Sequence, residues 1–132
     1  MIRALQVVLI VFGVTEIVLG LWLVIFPDQA SGISNVSGYL KYAIASLGVC
    51  LIAPGIFLII AARDPLRHIN WVKFAIMWCI LGAAAGLYSI IQGSTDFNEA
   101  GMQVIMDAAF AVVFLALYPY RATKAAAYQG NH

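Results

Sequence analysis

Residues 4–26 read ALQVVLIVFGVTEIVLGLWLVIF, an apolar run interrupted in its middle by Glu16. About 20 such residues suffice to cross the hydrocarbon core of a bilayer. A carboxylate at the midplane is disfavoured by about 2.5–3.5 kcal/mol on insertion scales, so a residue of this kind has a partner or a purpose. The apolar residues around it each contribute about −0.3 to −0.6 kcal/mol on the same scale, and the segment inserts despite Glu16. The run is too long for the apolar region of a signal peptide and no A-x-A site follows, so it reads as a retained helix.

The rest of the chain repeats this character. Of its 132 residues, 64% are hydrophobic and 10% are charged, against about 45–50% and about 25% in soluble proteins. A soluble core of this size leaves too much apolar surface uncovered, so the solvent for most side chains is lipid. Hydropathy gives four spans, about 4–26, 39–62, 69–91 and 101–119, and a tail over 120–132. Between them, 27–38 (PDQASGISNVSG) and 92–100 (QGSTDFNEA) read as polar loops, and 63–68 (RDPLRH) as a tight charged turn in which Pro65 cannot extend the preceding helix. The expected fold is an all-α, integral membrane four-helix bundle, mostly packed near +20°, with a closer crossing at Gly82 and Gly86.

Lys and Arg report orientation. Arg3, Arg63, Arg67, Lys73, Arg121 and Lys124 fall on one side of the four spans, and only Lys41 on the other. Both termini are therefore expected in the cytoplasm. Lys73 is placed to snorkel to the headgroups. Lys41 is placed to do the same on the outer side, or to pair with Glu99 or Asp96. Tyr39, Tyr42, Trp71, Tyr88, Tyr118 and Tyr120 lie near span ends, where aromatic rings favour the interface.

Glu16 shares a helix face with Gly13 and Gly20. Small residues mark helix interfaces in lipid, so this face is expected against protein. Asp107 is a second acid inside a span, with Gln103 one turn before it. Both acids lie about 12 residues, or about 18 Å, from the cytoplasmic side. Three readings follow: a proton- or cation-binding pair, two neutral acids that hydrogen-bond helices together, or contacts to a partner subunit. Pro54 leaves the carbonyl of Cys50 without its helical donor, and a kink is expected there. Gly82 and Gly86 form a G-x-x-x-G packing motif. Cys50 and Cys79 are isolated, with no basic neighbour, and read as small core residues.

Several classes are disfavoured. No span contains a histidine, which argues against a bis-His haem. There is no Cys/His metal cluster, no nucleotide-binding or hydrolase motif, and no basic stripe for nucleic acid. No catalytic residue and no resident cofactor is assigned, although a bound lipid or quinone fits such a surface. An enzyme is not indicated.

Two resemblances bear on function. Four short spans with a glutamate central in the first resemble the small multidrug resistance transporters. That resemblance implies an acid, here Glu16, that binds protons and cationic substrates alternately. The strong charge bias and the second acid, Asp107, depart from that family. The chain also looks like DoxX-like and related small four-helix proteins of bacteria, in its length, its short charged turn and the Gly-Leu-Trp-Leu-x-x-Phe-Pro end of its first span (residues 20–27). This implies a small protein of the bacterial inner membrane, sometimes associated with redox complexes. The leading expectation is an accessory or structural subunit, with the lipid bilayer, other membrane subunits or further copies of itself as partners. The rival is a proton-coupled carrier or channel using Glu16 and Asp107. A quinone- or lipid-handling subunit is the third.

Overall fold

A computed structural model describes residues 1–32 and 37–120. Arg121 and Lys124, two of the cations that mark orientation, lie outside the described residues. The described chain is helical: α1 (Ile2–Ile25), α2 (Pro27–Ser31), α3 (Gly38–Ala62), α4 (Ile69–Ile91) and α5 (Phe97–Leu117). Four of these, of 24, 25, 23 and 21 residues, are long and apolar enough to cross a membrane. At 1.5 Å per residue they measure about 32–38 Å, against about 30 Å of hydrocarbon.

These helices are apolar on both faces. In α1, Leu9, Phe12, Gly13, Glu16 and Gly20 are buried, while Val7, Val11, Val14 and Val18 are exposed. A helix that is hydrophobic all round belongs in a large core or a bilayer.

The chain divides into two compact units. The first, Val7–Arg63, holds most of α1 with α2 and α3. Here α1 and α3 run antiparallel and meet at glycines. A Cβ built on Gly13 would lie 2.7 Å from the Gly55 carbonyl oxygen, and one on Gly20 would lie 2.5 Å from that of Gly48. The reverse contacts have the same lengths. Gly13 and Gly20 are seven residues apart, as are Gly48 and Gly55. One period therefore brings both pairs into register on a single seam, and a seven-residue period suits a shallow, left-handed crossing. Ile17, Ile52 and Ile59 flank the notches. Helix α3 continues through Pro54.

Residues 27–38 are not wholly a loop. Pro27 opens α2, where its missing N–H costs nothing. Gly32, at φ +66°, closes it in the left-handed conformation that glycine tolerates. Lys41 pairs with Asp28 at 3.1 Å. Asp28 is delivered by α2, an element that polarity alone does not reveal.

The second unit comprises Met1–Gln6 and the chain from Asp64 onward. In it α4 and α5 form an antiparallel hairpin. Gly93 ends α4 at φ +68°. The N–H of Ser94 donates to the Ser89 carbonyl and that of Gly93 to Ile90, the two bonds of a Schellman cap. Helix α5 starts at Phe97, one turn before the apolar run begins. The reason is local: the Asp96 N–H donates to the Glu99 side chain at 3.3 Å, the backward-reaching half of a capping box. Glu99→Ala is expected to lower stability by about 1 kcal/mol or less, the net value of one exposed hydrogen bond. Amide exchange at residues 97–100 should quicken while the centre of α5 stays protected.

Candidate functional site

The two buried acids sit in different units, and each packs against a glycine of the neighbouring helix. Glu16 is 6% exposed. It lies one turn after Gly13 and one before Gly20, so the seam that joins α1 to α3 fixes its place. A Cβ on Gly55 would stand 3.3 Å from the Glu16 Cβ. The base of the glutamate therefore rests on the α3 backbone at Gly55.

Asp107 is 7% exposed, and Gly82 of α4 faces it. A Cβ on Gly82 would lie 2.5 Å from Oδ2 and 3.1 Å from Cγ of Asp107. The carboxyl group fills the space that any side chain at 82 would need. Val104 does the same one turn along, with Cγ2 2.5 Å from a Cβ on Gly86. The G-x-x-x-G pair thus receives two side chains of α5, one of them ionisable. The closer backbone crossing expected at Gly82 and Gly86 is found instead at Gly13–Gly55 and Gly20–Gly48, because Asp107 and Val104 occupy the α4 notches.

Gln103, one turn before Asp107, is exposed and hydrogen-bonded to it. Among the described residues no buried side-chain nitrogen or oxygen lacks a hydrogen-bond partner. Polar groups without water must be satisfied in this way, since an unmade hydrogen bond in an apolar medium costs several kcal/mol, about 2–7. The arrangement can hold two helices in register, and it can hold a proton on a carboxyl oxygen.

The remaining candidates separate. Cys79 is buried on the same face of α4 as Val72 and Ala75, as a small residue should be. Cys50 is exposed on α3, which corrects its reading as a core residue: the α3 positions turned to the seam are Gly48 and Gly55, and Cys50 falls off that line. Among the described residues no group of three or more His, Cys, Asp or Glu is placed to hold a metal ion. Sequence reasoning missed Gly48 and Gly55. Their signal was present, because their spacing of seven equals that of Gly13 and Gly20. Comparison with family models, curated proteins and solved structures finds no match to this chain.

Proposed function

We propose that this chain is a multi-pass protein of the bacterial inner membrane that acts as an accessory or structural subunit. It packs its spans, with both termini in the cytoplasm, against a larger membrane complex or against copies of itself. The observation that carries this reading is the seating of Glu16 and Asp107. Glu16 rests its Cβ against Gly55 and Asp107 fills the notch at Gly82, so both acids are buried side chains that pack against glycines. The outer faces are apolar and suited to lipid or to other membrane helices.

Intact-mass measurement in mild detergent tests this. An assembly of several copies, or of this chain with other membrane subunits, is the expected result. A lone monomer at all detergent concentrations would remove the reading.

One observation favours a second reading, the proton-coupled carrier. Gln103 links buried Asp107 to an exposed position on α5, as a polar relay would. That reading requires Glu16 and Asp107 to exchange protons or cations with water.

A further inference from the structure

The α4–α5 pair carries a feature that helix packing does not use. At the end of the hairpin remote from the Gly93 turn, a groove of about 400 Å³ opens along the two helices. This volume falls in the range of about 300–1,000 Å³ usual for ligand sites. Ile76, Met77, Ile80 and Leu115 line its length, Leu81 lies at its inner end, and Lys73 stands at the outer end with Tyr118 and Tyr120. The two tyrosine rings meet edge to face at 4.7 Å, held by a sharp turn in which the Tyr120 N–H donates to the Tyr118 carbonyl at 2.8 Å.

The groove is polar at one end only, and the polar end is cationic. Lys73 is exposed, and among the described residues it makes no ion pair. The other lysine at a span end, Lys41, is neutralised by Asp28. Lys73 stands in the second turn of α4, where a bilayer would place the headgroup boundary. From Lys73 to Leu81 the helix rises about 12 Å. One leaflet of hydrocarbon is about 15 Å deep, half of the bilayer core. The groove therefore has the length of one acyl chain reaching from headgroup level toward the midplane, with an unpaired ammonium where the phosphate would lie.

We infer that this groove binds one anionic phospholipid, its phosphate at Lys73 and the two tyrosine hydroxyls, and one acyl chain against Ile76, Met77, Ile80 and Leu115. A neutral amphiphile of quinone type would fill the apolar part and leave Lys73 unanswered. The inference rests on membrane insertion of the chain but on neither the accessory nor the carrier reading.

The test is native mass spectrometry of the purified full chain. The detergent is supplemented in separate arms with phosphatidylglycerol, with phosphatidylcholine of the same acyl chains, and with a short-chain ubiquinone. One phosphatidylglycerol should be retained in preference to phosphatidylcholine by about fivefold, the worth of one lysine near a charged surface. Lys73→Gln should abolish that preference, and Lys41→Gln should leave it unchanged. Ile80→Trp, which fills the groove, should lower retention of both lipids. Equal retention of the two phospholipids, a preference that survives Lys73→Gln, or stronger retention of ubiquinone than of phosphatidylglycerol would each overturn the assignment. Alkaline extraction of membranes reports insertion separately, so a chain that never enters the bilayer is distinguished from one that lacks this site.

Discussion

Gly48→Val should be the most damaging small substitution in the chain. The first atom it adds would stand 2.5 Å from the carbonyl oxygen of Gly20, and Val24 Cγ2 lies 2.8 Å from the same point. The obstacle is backbone, so no rotamer change relieves it, and α1 and α3 must separate. Overpacking of this kind costs about 1–3 kcal/mol and occasionally more. In lipid the loss is not offset by apolar burial elsewhere, since close packing is itself the main attraction between helices. A loss of about 3 kcal/mol is expected, read as an earlier unfolding midpoint when the protein in mild detergent is titrated with a denaturing one. Gly20→Val should behave alike from the other side of the seam. Gly38→Ala is the control: among the described residues nothing lies within 4 Å of the added atom, and its effect should stay within about 0.5 kcal/mol.

The second large effect concerns Asp107. Its carboxyl fills the notch at Gly82 and answers Gln103. Asp107→Ala empties the notch and leaves the amide without its partner, a cost of about 1–3 kcal/mol. Asp107→Asn keeps size and hydrogen bonding and should cost less than about 1 kcal/mol. Gly82→Ala alone pushes the carboxyl aside. In the double variant, the alanine at 82 occupies the space that the aspartate has vacated. The two losses should therefore be non-additive, with a coupling of about 1–3 kcal/mol in the direction of rescue. Additive losses would place Asp107 elsewhere than over Gly82.

How legible was this in the sequence? The four long helices were plain, because lipid imposes a demand of length and apolarity that the residue string meets directly. Their ends were less so. Helix α5 gains a turn through the Asp96–Glu99 cap, and α2 arises from Pro27 and Gly32 within a polar stretch, both local effects that hydropathy averages away. The face of Glu16 was readable from Gly13 and Gly20, since i−3 and i+4 neighbours share a side. What Gly82 and Gly86 accept was not readable. A G-x-x-x-G motif announces a notch without saying whether a backbone or a side chain fills it, and only the register of α5 puts Asp107 and Val104 there. The partner of Lys41 was missed for the same reason, because Asp28 depends on a helix that composition hides.

A packing acid and a carrier acid differ in one respect: only the second must gain and lose its proton for the protein to work. The direct measurement is proton and cation flux into liposomes containing the purified chain under an imposed pH gradient, compared between the wild type, Glu16→Gln and Asp107→Asn. If Glu16 and Asp107 are packing elements, flux stays at the level of protein-free liposomes in all three, with each variant folded and assembled as the wild type is. A pH-dependent flux in the wild type that Glu16→Gln abolishes would contradict that role.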